Sequence, residues 1–323
     1  MHRLALNFTL ITDKIIGVLN GVIGDYLENQ NNPLSTPMTL FYKSKEVTSI
    51  DNLPEQSSYK LILFIHGLTD TEYRWEYKEQ EVKTSFGEKI QEKSEFISLF
   101  IRYNTGLHIS QNGEKLHNLI QDFFGEKIHL LDEVAIVGHS MGGLVAHSAI
   151  QHAKKLESYW ESKLNKVFLL GSPHQGAPLE RGANLLSGIF KTLPQPYLKL
   201  AGDLLNIRSS GIKDLRYGYT KQEEWEGHHP DELLKNRKQK VETYHDVQYY
   251  LVAGSIFATK EQLLARWLGD ILVPMSSAMG YSKNELFRYQ FKEENILLLS
   301  SMTHLQLTVD TQVLEFIKKN LIQ

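Results

Sequence analysis

The chain alternates short, nearly continuous apolar runs with longer segments of helical periodicity. Six runs predict strands: residues 61–65, 96–103, 134–137, 167–170, 248–253 and 296–299. Each is rich in Ile, Val, Leu, Phe or Tyr without polar alternation, the pattern of strands buried on both faces of a parallel sheet. Between them, 109–124 sets Leu116, Leu119, Ile120 and Phe123 on one face, and 144–160 and 309–321 are similar. Near the start, Ile11, Ile15, Val18, Val22 and Tyr26 recur at helical spacing and predict an amphipathic helix packed on the domain. Residues 38–42 add a candidate antiparallel edge strand. Strands alternating with helices imply an α/β fold: a mostly parallel central sheet flanked by helices, with right-handed crossovers.

Residues 177–246 break this rhythm without a clear core strand, and the stretch is too long for a plain loop. Its first part carries Leu185, Leu186, Ile189, Phe190, Leu193, Tyr197 and Leu198, with Pro194 and Pro196 as breakers; 221–240 is heavily charged. A helical cap or lid inserted into one domain spanning 1–323 is expected.

Composition narrows the classes. Hydrophobic residues at 41% and charged residues at 23% support a buried core and exclude a disordered chain. The formal charge of -3 and the lack of a sustained basic stripe argue against a nucleic-acid partner. Cysteine is absent, which excludes disulfides, thiolate metal sites and a cysteine nucleophile. Asn7, Asp13 and Lys14 interrupt the apolar start, no small-residue cleavage site follows, and no apolar run reaches the roughly 18 residues of a membrane span. The expected compartment is the cytoplasm.

The sharpest motif is Gly138-His139-Ser140-Met141-Gly142. It follows the apolar run at 134–137 and precedes a helical run, the strand–turn–helix setting in which G-x-S-x-G exposes a nucleophile. So tight a turn strains the serine, and glycines leave room around it. The helix that starts at Met141 also points its positive end at the reacting group. Upstream, His66-Gly67-Leu68 ends another strand, where the following loop can donate a backbone N–H to a developing oxyanion. That makes the main-chain nitrogens of Leu68 and Met141 the candidate oxyanion donors.

A general base and an orienting acid should follow in the order Ser, Asp/Glu, His. Of thirteen histidines, His304 lies between the last strand and the last helix and is favoured as base. His228 and His229 fall in the charged part of the insertion, and His245 reads as structural. His66, Gly67, His139 and His174 are expected around the pocket in supporting roles. A zinc site from the three histidines is disfavoured because no helical H-x-x-x-H pair organises them. For the acid, Asp270 sits between the last two strands; Asp246 competes but precedes a strand, on the wrong side of the sheet.

Together these segments resemble bacterial lipase and esterase-like α/β-hydrolases, related to the GPI inositol-deacylase and triacylglycerol-lipase branches. The resemblance runs from Thr12 to the end. Its marks are R-Y-N-T-G-L-H-I-S at 102–110, the turn at 138–143, G-S-P-H-Q-G-A-P at 171–178, I-R-S-S-G-I-K-D-L at 207–215 and G-D-I-L-V-P at 269–274. It implies Ser140, Asp270 and His304 as a triad, a carboxylic-ester hydrolase activity and no cofactor. Ile271 departs from the small residue that many relatives carry after the aspartate. The segment at 172–176 is either pocket wall or a loop stabilised by Pro173 and Gly176. Expected substrates are small-molecule or lipid esters, with transient membrane-surface contact through the cap as an option. An acyltransferase using the same triad, or a non-catalytic binding protein on the same scaffold, are the competing readings. No oligomeric state follows from the sequence.

Overall fold

The computed structural model describes residues 2–177, 208–227, 236–240, 242–244, 246–257, 270 and 272–322. The apolar runs form strands for the reason their composition suggests: side chains on both faces are covered. In β1 (Thr39–Tyr42), β2 (Lys45–Val47), β3 (Tyr59–Ile65), β4 (Glu76–Glu79), β5 (Val82–Ser85), β6 (Phe96–Arg102), β7 (Leu131–His139), β8 (Leu164–Leu170), β9 (Gln248–Ser255) and β10 (Ile296–Ser300), all but β4 and β5 join one eight-stranded sheet. Its order is β10-β9-β8-β7-β3-β6-β1-β2. From β10 to β6 every pairing is parallel, and β1 and β2 are antiparallel. The segment at 38–42 is thus antiparallel but is not the edge. A two-residue hairpin through Lys43 and Ser44, both with left-handed backbone, folds β2 outside it. Neither residue is the Asn or Gly that marks such turns, so the hairpin gave no sequence cue.

The helices are α1 (His2–Asn29), α2 (Phe86–Gln91), α3 (Ile109–Phe124), α4 (Met141–Lys155), α5 (Tyr159–Ser162), α6 (Ser210–Tyr217), α7 (Met275–Ala278) and α8 (Thr311–Ile322). Leu61, Leu63, Ile65, Ile136 and Leu169 face α3 and α4, whereas Ile62, Phe64, Val137, Phe168 and Leu170 pack with Trp75, Phe86 and α8. This period-two split of fully apolar strands builds a core on each side of the sheet. Burying one such side chain stabilises by ~1.5–3 kcal/mol, so a charged replacement at Ile62 or Leu63 would break the layer.

Two helices differ from their sequence pattern. The run at 144–160 is two helices, because Glu157 takes a left-handed φ of 50° and the N–H of Ser158 returns to the carbonyl of Ala153. This is the 6→1 bond of a Schellman termination, here without its usual glycine. In α1, Val18 and Val22 are buried, but Ile11 and Tyr26 are more than half exposed. Its contact face runs instead through Gly17, Gly21 and Gly24, which lie directly against the loops after β3 and β6.

Of the expected cap, α6 and its neighbours at 208–227, with 236–240, are described; the apolar run at 185–198 and His228, His229 and His245 lie outside the described residues. Among the described residues, no helix is long and apolar enough to cross a membrane.

Candidate active site

The sheet register brings the candidate residues to one edge. Ile65 pairs with Gly138, His139 with Leu170, and Ser255 with Ser300, so the loops after β3, β7, β8 and β10 leave the same end of the sheet. In open parallel sheets that carboxyl end is where ligands bind.

Ser140 stands at the junction of β7 and α4 with φ 55° and ψ −123°. A non-glycine residue there carries strain on the order of 1–3 kcal/mol, which the surroundings must impose. They do so by close packing. A Cβ on Gly138 would lie 2.6 Å from the Cα of Gly143, and one on Gly142 would lie 2.3 Å from the carbonyl oxygen of Ile65. The Ser140 N–H continues the ladder to the Leu170 carbonyl at 2.8 Å. Met141 follows as the first residue of α4.

Across the turn lies the His66-Gly67-Leu68 loop. A Cβ on Gly67 would be 3.0 Å from the Ser140 Cβ, so a side chain here would crowd the serine. The Gly67 carbonyl accepts from Asp70 N–H at 3.3 Å and pairs with His66 Nδ1 at 2.9 Å. Burial lowers the His66 pKa to about 4, so the ring is neutral and Nδ1 carries the donated proton. The His66 ring stacks on Tyr103, whose hydroxyl donates to the His66 carbonyl at 2.8 Å. With its oxygen held from two sides, the Gly67–Leu68 peptide aims the Leu68 N–H in the opposite direction. Neither that N–H nor the one of Met141 has an acceptor among the described residues.

The third component is a buried carboxylate–imidazole pair. His304 Nδ1 donates to Asp270 Oδ2 at 2.6 Å, with both residues almost fully buried. The other Asp270 oxygen accepts from the N–H groups of Val273 at 2.9 Å and Leu272 at 3.2 Å. These bonds fix the carboxylate in a tight loop before α7, while Ile271 lies outside the described residues. His304 begins the turn after β10, and its ring edge approaches Gly171, whose φ is 61°. His139 Nε2 donates to the His304 carbonyl at 3.1 Å, and burial holds the His139 pKa well below its usual range. Ser140 and His304 thus share His139 as a neighbour, and the Ser140 N–H reaches Leu170, the residue before the Gly171 that His304 approaches; no hydrogen bond joins their side chains among the described residues. Such a bond is often loose in ligand-free sites.

His174 is placed differently. It is fully buried against His147, Tyr289 and Phe291, and no ring contact joins it to His66 or His139. Its carbonyl accepts from the buried ammonium of Lys238, and Gln175 N–H donates to Ser277 Oγ at 3.0 Å. The 172–176 loop is therefore tied down on both sides next to His304. Asp246, the alternative acid, forms an ion pair with Lys154 at 2.7 Å on the protein surface, away from this edge. No group of three His, Asp or Glu residues suited to a metal ion occurs among the described residues.

Sequence reasoning overlooked several supporting residues. Tyr103, Thr105 and the Asp70–Arg74 ion pair hold the loop after β3, at 2.8 Å for the hydroxyl of Tyr103 and 2.7 Å for Arg74 Nη2. Tyr103 and Thr105 lay inside a quoted segment, but only their burial shows what they do.

A doubly flanked sheet with a strained serine at the strand–helix turn, glycine-lined on both sides, is the α/β-hydrolase fold. The PGAP1-like alpha/beta domain family matches residues 60–279, and the chain belongs to that family. The mature lipase BlEst2 of Bacillus licheniformis is similar in fold: TM-score 0.51 at 17% identity, covering 88% of this chain and 99% of that one. A lipase-esterase related protein from Clostridium acetobutylicum ATCC 824 aligns with TM-score 0.43 and 13% identity over 89% of this chain and 99% of that one. A search of curated protein sequences finds no match.

Proposed function

We propose that the protein is a serine carboxylic-ester hydrolase that works through Ser140, His304 and Asp270 by way of an acyl-enzyme. The observation that carries this reading is the strained Ser140, beside two backbone N–H groups that have no acceptor among the described residues and near the buried Asp270–His304 pair. In the proposed first step, the Ser140 hydroxyl oxygen attacks the ester carbonyl carbon and its proton passes to His304 Nε2. Asp270 keeps the proton on Nδ1 and stabilises the imidazolium. The carbonyl oxygen becomes an oxyanion between the N–H groups of Leu68 and Met141, and each donor contributes roughly a hundred- to a thousand-fold in rate. Collapse expels the alcohol, which takes the proton from His304. Water then adds to the acyl-serine carbonyl with His304 as base, releasing the carboxylic acid and restoring Ser140.

Ser140→Ala tests the proposal. The variant is expected to fold as the wild type by circular dichroism and to lose turnover of p-nitrophenyl butyrate and labelling by a fluorophosphonate. Turnover at the wild-type rate would overturn the assignment. A panel from acetate to palmitate then reads the acyl preference, and a rate jump above the aggregation point of the long esters would mark a lipase.

A further inference from the structure

The turn that carries the Leu68 N–H is strained at a residue with no chemical role of its own. Asp70 N–H closes on the Gly67 carbonyl, making Leu68 and Thr69 the two central residues of a four-residue turn. Thr69, the second of them, has φ 64°. Positive φ at that position defines a type II turn, where glycine is the ordinary occupant and a β-branched side chain is an outlier. The central peptide of such a turn can flip between the type I and type II orientations. Here both its ends are held. Thr69 N–H donates to Thr105 Oγ1 at 3.1 Å, and the Thr69 hydroxyl donates to the Leu68 carbonyl at 2.6 Å. Thr105 is fully buried and Thr69 nearly so, so water does not compete for these groups.

The strained residue is also clamped from outside the domain core. A Cβ on Gly21 of α1 would lie 2.4 Å from Thr69 Cγ2 and 3.0 Å from its Cα and N; one on Gly17 would lie 2.9 Å from Thr71 Cγ2. Helix α1 is itself anchored at that height. Asn104 Nδ2 donates to the Gly24 carbonyl at 2.9 Å, Ser209 Oγ to the Gly21 carbonyl at 2.7 Å, and Ser210 N–H to Asp25 at 2.8 Å.

We infer that Thr105, acting through Thr69 and backed by the glycine face of α1, is a positioning residue that holds the oxyanion turn in its one productive orientation. The inference rests on the hydrolase reading above and assigns α1 a part in it. Removing the Thr105 oxygen leaves the buried Thr69 N–H unpaired in the strained turn, and the turn relieves both by rearranging. A turn that opens gives up the Asp70 N–H bond to the Gly67 carbonyl, one of the two that fix the Gly67–Leu68 peptide, and so lets the Leu68 N–H turn away from the oxyanion without touching the serine, the base or the acid.

The test compares Thr105→Val, which keeps the shape and loses the acceptor, with Thr105→Ser, which keeps the acceptor and loses the methyl. Thr105→Val is expected to lower kcat on p-nitrophenyl butyrate by roughly 10- to 100-fold, with KM changed by less than about twofold. Phosphonylation of Ser140 is expected to slow in parallel. Thr105→Ser is expected to restore kcat to within about threefold of wild type. Gly21→Ala, pressing α1 into Thr69 from the other side, should reproduce the kcat loss and carries the test if the valine variant does not fold. A valine variant with wild-type kcat, or a serine variant no better than valine, overturns the inference while a labelled wild-type Ser140 keeps the hydrolase reading. An unlabelled wild type removes the hydrolase reading and the inference with it.

Discussion

Among the described residues lie two histidine–aspartate pairs that are nearly alike as pairs. His304 Nδ1 meets Asp270 at 2.6 Å, and His108 Nδ1 meets Asp214 at 3.0 Å; both aspartates are 2% exposed. Their surroundings differ. Asp270 spends its second oxygen on its own loop, and His304 sits beside Gly171 at the strand end next to Ser140. Asp214 accepts the N–H of Ile109, the first residue of α3, at 2.8 Å, and the His108 ring lies flat on Trp225 with centroids 3.6 Å apart. The second pair caps α3 and fastens α6 to it. On the proposed reading, a buried His–Asp contact is therefore no mark of catalysis by itself, and the groups on the remaining lone pairs and ring edge set the two pairs apart.

The largest expected effect separates the two pairs outright. Asp270→Asn is expected to lower kcat roughly a thousand- to ten-thousand-fold by releasing the imidazole tautomer, with little change in Tm. Asp214→Asn is expected to do the reverse: kcat within about threefold of wild type and stability lower by ~1–3 kcal/mol, since a buried cap loses its charge-assisted bonds. Denaturant titration and steady-state kinetics on both variants check this. Equal kcat losses would erase the distinction.

Acid should strike the molecule through its other histidines. Burial lowers the pKa of His66 to about 4 and of His147 to about 3, and holds His139 and His174 well below the usual range. The unfolded chain protonates these rings below pH ~6.5, whereas the folded chain keeps them neutral, so their contribution is complete above pH ~6.5 and falls as the pH drops through it. Each ring costs up to ~1.4 kcal/mol per pH unit below that value. Thermal melts from pH 7.5 to 5 should show a steep decline in Tm, and a flat profile would mean that the rings accept protons in the folded state.

How much of this could be read from the chain follows from distance along it. Strands at 61–65, 134–137 and 167–170 are legible because burial on both faces leaves an unbroken apolar run, and the elbow around Ser140 is legible because its parts are contiguous. Asp270 and His304 are 34 residues apart, and chain order with strand placement narrowed the choice between them and Asp246. Nothing in order or periodicity links His108 to Asp214, 106 residues away, or Thr69 to Thr105, 36 residues away. The contact face of α1 departs from the apolar spacing at Ile11 and Tyr26: Val18 and Val22 are buried, but Gly17, Gly21 and Gly24 make the closest approaches and carry no apolar signal, and the helix breaks at Ile23 before Tyr26. The end of α4 was missed because Glu157 occupies a site that glycine usually marks.

The smallest effect sharpens the comparison at Trp225, the ring stacked on the second pair. Trp225 stacks on His108 and donates from Nε1 to Ser110 Oγ at 2.9 Å, so it closes the His108–Asp214 pair from outside. Trp225→Phe keeps an aromatic face over the imidazole and gives up one partly exposed hydrogen bond. The expected loss is ~0.5–1.5 kcal/mol of stability. Trp225→Ala also removes the stacking and should cost ~0.5–1.5 kcal/mol more. Because this pair fastens structure instead of moving protons, kcat and the rate of Ser140 phosphonylation should stay at wild-type level in both variants. A drop in kcat without a drop in Tm would place His108 in the chemistry and dissolve the contrast between the two pairs.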